Sequence, residues 1–102
     1  MNSSFRITPR AASDLRDIAG YTLMTWGRKQ RDDYLRELDK RFNWLAENPT
    51  RGKPREDIRE GYRSYSQGSH VIFYLVRDTC IDIIGVLHQR MDVLSYFDES
   101  DQ

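Results

Sequence analysis

Apolar residues recur every three or four positions over the first half of the chain and at every second position over much of the second half. The first spacing predicts α-helix and the second predicts β-strand, because side-chain directions repeat every ~3.6 residues in a helix and every ~2 in a strand. The sequence therefore predicts an α+β fold, with its helices before Asn48 and most of its strands after Gly61.

A short strand and two helices are predicted in the first half. The strand covers residues 4–8, and Thr8 followed by Pro9 is typical of a helix start. The first helix ends at Gly27 and the second covers residues 28–47. So short a join makes the two helices an antiparallel hairpin. The positions expected to face the core are Ala11 or Ala12, Leu15, Ile18 or Ala19, Thr22 and Trp26, then Tyr34, Leu35, Leu38, Phe42, Leu45 and Ala46.

The second half reads as three strands in succession. They cover residues 62–66, 70–76 and 80–88, and the segments between them have turn composition, with Gly68 in the first. The predicted order is β-α-α-β-β-β, with the helical hairpin packed on one face of a mainly antiparallel sheet and a short C-terminal tail. The tail holds an apolar cluster that we expect to form a short turn of helix across a sheet end: Val93, Leu94, Tyr96 and Phe97.

Residues 50–60, between the helices and the three strands, are predicted to form a loop because they combine glycine, proline and high charge. Arg51, Lys53 and Arg55 alternate along it, and Ile58 is its expected anchor to the core. The loop is either a solvated connector or a contact for a phosphate or an acidic partner.

Both faces of the predicted sheet carry apolar side chains. Val71 and Phe73 point to one side, whereas neighbouring apolar residues of the same strand point to the other. The helices can cover one face, and uncovered apolar area on the second would mark a partner site unless the tail covers it. The face expected to bind a partner holds Ile72, Tyr74, Val76, Ile84 and Val86, or else the complementary set.

Length and composition narrow the class of protein. A chain of 102 residues is expected to form a single domain over residues 1–102. Cys80 is the one cysteine, the first ten residues lack the apolar core of a signal peptide, and no apolar run is long enough to span a membrane. We therefore expect a cytoplasmic protein.

The charges balance to zero, but arginine outnumbers lysine thirteen to three. Because the guanidinium group binds carboxylates and phosphates in a bidentate manner, an acidic protein segment or a nucleic acid is a reasonable class of partner. The alternative is that most of these arginines pair with the equally numerous acids on helix faces.

Few chemical motifs are present. His70 and His88 are far apart in sequence, Cys80 is alone, and there is no glycine-rich phosphate loop, so neither a metal nor a cofactor is expected. The remaining possibility is acid/base chemistry of the ribonuclease kind, in which Arg63, His88 and Glu60 would meet at one sheet end. We favour structural roles for both histidines, at the start and the end of their strands.

Several local motifs recur along these elements, and the most specific of them is the segment from Leu87 to Asp92, LHQRMD. The others are Thr8-Pro9-x-Ala11, Asp14-Leu15, Tyr21, Trp26-Gly27, Tyr34, Asn48-Pro49, Gly52, Gly61-Tyr62-Arg63, Gly68, His70 and Tyr74. With these motifs, nearly the whole chain resembles the ParE toxins of the RelE/ParE superfamily, which belong to type II toxin-antitoxin modules.

The resemblance implies that a ParD-like antitoxin covers the second apolar face. It also implies that the toxin inhibits DNA gyrase by binding, without enzymatic activity and without sequence-specific contact to nucleic acid by the toxin alone. RelE-type relatives instead cut mRNA on the ribosome, and under that alternative Arg63 and His88 lie in comparable regions. The acidic C-terminal tail counts against the alternative, since the basic cluster of those nucleases is missing.

Overall fold

Three helices and five strands make up the part of the chain that the computed structural model describes, residues 4–100, with side chains described for residues 4–98. They are β1 (Ser4–Ile7), α1 (Pro9–Trp26), α2 (Arg28–Glu47), β2 (Lys53–Pro54), β3 (Tyr62–Gln67), β4 (His70–Val76), β5 (Cys80–His88) and α3 (Val93–Ser100). None of the described helices is both long and apolar enough to cross a bilayer.

The strands form one mixed sheet in the order β1-β5-β4-β3-β2. β1 pairs in parallel with β5, and the other neighbours are antiparallel. This confirms the predicted α+β class and element order, with one strand added. β2 lies within the predicted loop, where Lys53 pairs with Ser64. A strand of two residues that includes Pro54 has no alternating pattern, so its pairing was not visible in the sequence.

The helical hairpin begins and turns where the sequence predicts. The Thr8 hydroxyl accepts a hydrogen bond from the Ala11 N–H at 3.2 Å, and Pro9 occupies the first turn. Gly27 alone separates α1 from α2 and has a φ of 95°. Residues other than glycine rarely adopt that backbone conformation, so glycine allows the one-residue reversal.

The hairpin covers one face of the sheet and forms the larger core. Its buried residues are Ala11, Ile18, Leu38, Phe42, Leu45 and Ala46 from the helices and Ile72, Tyr74, Ile81, Ile83 and Val86 from the sheet. Ile72, Tyr74 and Val86 were expected on an uncovered face, and that expectation is wrong. Alternation divides a strand into two faces, but it does not identify the face on which the helices pack.

A β-bulge changes the side-chain direction partway along β5. Phe73 pairs with Gly85 and Tyr74 pairs with Ile83, so Ile84 is an extra residue opposite the bond between them. Ile83 precedes the bulge and Val86 follows it, yet both lie in the core beneath the helices. Ile84 and Leu87 pack on the opposite face.

The second face is covered by the chain itself over its centre. Phe73 and Leu87 are buried there against Tyr96 and Phe97 of α3, and Ile58 of the β2–β3 connection packs beside them. The predicted helix in the C-terminal tail and the anchoring role of Ile58 are therefore confirmed. Of the two alternatives for the second face, a partner or the C-terminal tail, the tail covers its centre, because α3 lies over the sheet itself and not only across its end.

Candidate functional site

The residues expected to meet in an acid/base site lie at opposite ends of the sheet. Arg63 pairs with Tyr74, whereas His88 pairs with His70 at the start of the same strand. The four residues from His70 to Tyr74 separate these levels by roughly 13 Å along the strand, at ~3.3 Å per residue. An antiparallel meander places the start of its first strand and the end of its third at opposite ends, so Arg63, His88 and Glu60 do not converge.

Arg63 and Glu60 have other surroundings. One terminal nitrogen of Arg63 donates hydrogen bonds to the carbonyl oxygens of Gly52 at 2.7 Å and Thr50 at 3.4 Å. Glu60 is exposed in the turn before Gly61. Arg63 therefore holds the loop that follows α2 against the sheet, which is a structural role.

A cavity of about 640 Å³ opens at the sheet end where β4 begins and β5 ends. We call it the sheet-end cavity. Residues of the helical hairpin form one wall, and the ends of β4 and β5 form the other. Its lining comprises Asp14, Asp17, Ile18, Tyr21, Thr22, Trp26, Gln30, Tyr34, Ser69, His70, Val86, His88 and Met91.

Both histidines lie in this cavity and are fixed by neighbours. The hydroxyl oxygen of Tyr34 is 2.6 Å from Nδ1 of His70, and the rings of His70 and His88 meet edge to face with centroids 5.5 Å apart. Nδ1 of His88 accepts a hydrogen bond from the Arg90 N–H at 3.2 Å. Burial, with a smaller contribution from His88, lowers the pKa of His70 below its ordinary value of 6.5. His88 fixes the turn after its strand, as the sequence suggested.

The electrostatic character of the sheet-end cavity is acidic. Asp14 accepts hydrogen bonds from the Val86 N–H at 3.0 Å and from the Tyr96 hydroxyl at 2.6 Å. Burial, followed by this bond to Asp14, raises the pKa of Tyr96, which stays neutral. Asp17 is exposed at the cavity wall. No arginine or lysine belongs to the lining residues, so the cavity lacks a cation for a phosphate group.

A second cluster, the basic edge, consists of Arg41, Arg51 and Lys53 around two aromatic rings. The Arg41 guanidinium carbon is 4.7 Å from the ring centroid of Trp44 and 4.9 Å from that of Tyr65. Arg51 lies farther out, 5.8 Å from Trp44, and Lys53 is exposed. This stack of Arg41 on aromatic rings was not predicted, although the sequence spacing of Arg41 and Trp44 places them on one face of α2.

Several other arginines pair with acids, as the simpler alternative for an arginine-rich chain predicts. Arg6 and Arg77 both bond Asp82, at 3.0 and 2.8 Å. Burial disfavours the charged carboxyl group of Asp82, but the hydrogen bonds from the two arginines outweigh this effect and lower its pKa. Arg55 pairs with Asp57 at 3.0 Å. In the basic edge, by contrast, Arg41 and Arg51 lie beside the ring of Trp44.

Apolar side chains are exposed at the tip of the helical hairpin, next to the sheet-end cavity. Trp26 is 66% exposed and Met24 is 89% exposed, with Tyr21 exposed one turn earlier. The expectation that Trp26 faces the core is wrong, because the last turn of α1 projects beyond the sheet. The helical position of Trp26 was predicted correctly, but which turns of a helix lie over the sheet depends on tertiary packing.

Two residues of the expected partner face remain accessible. Val76, at the end of β4, is 45% exposed, and Ile84 is partly buried in the bulge. The other three lie under the helices.

The described arrangement, a helical hairpin on a five-stranded mixed sheet with a short C-terminal helix, is the fold of ParE and RelE toxins. It superposes on a chain of the structure described as "Chromosomal ParDE TA system from P. aeruginosa" with a TM-score of 0.72 at 18% identity, covering 85% of this chain and 96% of that one. A chain of the RelBE2 toxin-antitoxin complex from Mycobacterium tuberculosis matches with a TM-score of 0.60 at 24% identity, covering 86% of this chain and 99% of that one.

Sequence comparison gives the family. Residues 5–93 match the family model for the ParE toxin of the parDE type II toxin-antitoxin system. Toxin ParE1 of Caulobacter vibrioides is 44% identical over 92 residues, which is 90% of this chain and 95% of the relative. Toxin ParE1 of M. tuberculosis H37Rv is 44% identical over 94 residues, or 91% and 96% of the two chains. The chain belongs to the ParE family of type II toxins.

Proposed function

We propose that this toxin inhibits DNA gyrase by binding it, without enzymatic activity, and that a ParD-like antitoxin neutralises it. The observation that carries the non-enzymatic part is the separation of Arg63 from His88, at opposite ends of the sheet. An RNA-cleaving site needs a proton acceptor, a proton donor and a cation for the developing negative charge within one pocket.

The sheet-end cavity does not provide that set either. It brings His70 and His88 together, but the ionised side chains in the rest of its lining are the carboxylates Asp14 and Asp17. Carboxylates repel a phosphodiester and disfavour the charge that forms on it during cleavage. The histidines at this place therefore support a binding role better than a nucleolytic one.

An antitoxin partner is supported by the comparisons and by the surface. The similar structures are described as a ParDE system and as a toxin-antitoxin complex. Exposed apolar side chains such as Met24 and Trp26 are of the kind that protein partners cover. Within the expected contact set, we retain Val76 and Ile84 as antitoxin-binding residues, since both are accessible in the folded toxin.

The gyrase proposal is tested with purified toxin in a supercoiling assay. We expect micromolar toxin to inhibit gyrase and to stabilise cleaved DNA, and we expect prior addition of a ParD-like antitoxin that binds the toxin to abolish the effect. The toxin–antitoxin complex serves as the matched control, because it contains the same folded toxin. Full supercoiling activity at micromolar free toxin would contradict the proposed target.

A ribosome-dependent mRNA endoribonuclease of RelE type is the second candidate, and the fold similarity to the RelBE2 chain is the observation in its favour. Primer extension on translated mRNA distinguishes the two functions. We expect no codon-phased cleavage. Cuts that appear with the native toxin and disappear with His88→Ala would establish the nuclease instead.

A further inference from the structure

We propose that the sheet-end cavity binds an arginine side chain of a protein partner, with Asp17 pairing the guanidinium group and Tyr21, one turn further along α1, stacking against it. The inference rests on the proposed function only because that function gives the toxin a protein partner. The chemistry of the occupant follows from the cavity itself.

The cavity is large enough to admit an arginine side chain. Its volume of about 640 Å³ lies within the ~300–1,000 Å³ typical of small-ligand pockets. The pocket opens to solvent between the hairpin tip and the sheet end, so a side chain can enter from a partner without any rearrangement of the core.

The charge of the cavity selects a cation. Asp14 and Asp17 line it, and neither arginine nor lysine does. The Asp14 carboxylate already accepts hydrogen bonds from the Val86 N–H and the Tyr96 hydroxyl. Among the described residues, no hydrogen bond or ion pair holds Asp17, so its carboxylate is available to a partner.

The aromatic rings favour arginine over lysine. Tyr21 and Trp26 line the cavity and are mostly exposed, so their rings are accessible to a planar cation. A guanidinium group can stack on such rings and still bond a carboxylate through its edge. Guanidinium groups already lie on aromatic rings within this toxin: Arg41 lies beside Trp44 and Tyr65, and the guanidinium carbon of Arg10 is 3.7 Å from the ring centroid of Tyr96.

The surroundings of the cavity favour a protein over a free cation. Met24 is exposed on the same side of α1 as Tyr21, and Met91 is exposed at the cavity mouth. A free small molecule in the cavity would leave this apolar rim in water. Aromatic residues, methionine and arginine are enriched in protein interfaces, and a central buried arginine with an apolar surround is a common hot-spot arrangement.

His70 makes the predicted binding depend on pH. The groups in contact with His70 are Tyr34 from α2, Ser69 from the preceding turn and His88 from β5, and the carboxylates Asp14 and Asp17 of α1 line the same cavity. A protonated imidazole at His70 would repel the incoming guanidinium. Because the pKa of His70 lies below 6.5, binding should be complete at neutral pH and weaken as the pH falls through the acid range.

The test is an NMR titration of the full-length toxin with N-acetyl-arginine-N-methylamide, followed through the indole N–H of Trp26. The citrulline analogue is the neutral control of the same shape, and the lysine analogue tests the stacking. We expect the arginine probe to bind about tenfold more tightly than the citrulline probe. Equal affinity for the two probes, or no shift of the Trp26 signal, would overturn the proposal.

Variants separate the cavity from a general effect of charge. Asp17→Asn should weaken binding of the arginine probe about fivefold or more. Asp78→Asn, which removes the same charge in an exposed turn at the opposite sheet end, should leave it unchanged. Equal effects of the two variants would show that no specific pairing exists.

Between about pH 7.5 and about pH 5.5 the native toxin should lose affinity severalfold, and His70→Gln should reduce that loss. An affinity for the arginine probe that does not change with pH would show that the histidines do not contribute to the site.

This experiment contains neither gyrase nor antitoxin. Failure of probe binding would therefore count against the cavity alone, whereas normal supercoiling in the gyrase assay would count against the proposed target alone.

Discussion

The hydroxyl group of Tyr74 ties the loop after α2 to the centre of the sheet. It donates a hydrogen bond to the carbonyl oxygen of Pro49 at 2.8 Å and accepts one from the Gly52 N–H at 2.9 Å. The side chain is fully buried, and burial raises the pKa of its phenol, so the group remains neutral. The absence of a side chain at Gly52 is required, because a Cβ there would collide with the Tyr74 hydroxyl.

At the residue scale, we predict that Tyr74→Phe lowers the free energy of unfolding by about 2 kcal/mol, because the Pro49 carbonyl and the Gly52 N–H lose a buried partner. The measurement is urea denaturation followed by circular dichroism. Tyr65→Phe is the matched control, since the same atom is removed from a tyrosine whose described contacts are made by its ring. A loss no larger than that of the control would contradict the structural role of the Tyr74 hydroxyl.

Local chemistry decided which single residues could be predicted. The Thr8 cap and the reversal at Gly27 follow from backbone requirements within a few residues, and both are found. The contacts of Tyr74 were not predictable, since its partners lie more than twenty residues away in a loop with no regular pattern. The prediction that Trp26 faces the core failed for a related reason. Helical spacing gives the direction of a side chain but not the extent of the sheet beneath it.

α3 is the element that closes the second face of the sheet. Phe97 is almost fully buried and meets Phe73 with ring centroids 5.2 Å apart, and Tyr96 is tied to α1 through Asp14. The short helix therefore contributes to the core, although it lies near the end of the chain.

At the element scale, we predict that Phe97→Ala lowers the free energy of unfolding by about 3 kcal/mol and exposes Phe73 and Leu87, since the variant removes their cover. Calorimetry gives the loss of stability, and binding of a hydrophobic dye reports the exposed face. Leu94→Ala is the control within the same helix, because Leu94 is 56% exposed and should cost little. Equal stability of the two variants would mean that α3 does not seal the face.

Elements with a long, regular pattern were predicted and irregular ones were not. The two long helices and the three-stranded meander follow from periodicity alone. β2 is too short to have a period, and its pairing with β3 depends on the fold of the loop. The tail was expected to contain a helical turn, but its position over the sheet follows from the contacts of Tyr96 and Phe97 with buried rings.

The whole molecule has one core beneath the hairpin and a smaller one beneath α3, so partner binding depends on what remains outside both. Val76 lies on the helix-covered side but at the strand end, where the hairpin does not reach. It is the most accessible member of the proposed antitoxin contact set.

At the scale of the molecule, we predict that Val76→Asp weakens antitoxin binding about tenfold while the melting temperature stays nearly unchanged. The new carboxylate would lie in the antitoxin contact, where water is excluded, so binding weakens. It would lie outside both cores, so the fold stays stable. Isothermal titration calorimetry measures the affinity. Leu94→Asp places the same charge at an exposed apolar position outside the contact set and should bind normally. Native affinity in the Val76 variant would remove this strand end from the interface.

The fold could be predicted from the sequence, but the candidate site could be predicted only in part. His88 was identified as a candidate, yet the residues that surround it come from α1, α2 and β4, which are distant in sequence. Arg63 was assigned to the same sheet end, although strand direction places it at the other. The location of a site made by four elements depends on their packing, which no single segment specifies.

The extra residue at Ile84 determines where His88 points. Were β5 to alternate without interruption from Ile81, His88 would share a side with Asp82 and face away from the hairpin. The single-residue insertion shifts the phase of every later side chain by half a period and directs that imidazole toward His70. Straightening the strand with all nine residues kept would therefore turn His88 away from the pocket, whereas deleting Ile84 would leave it there, because the remaining residues would alternate in register with β4.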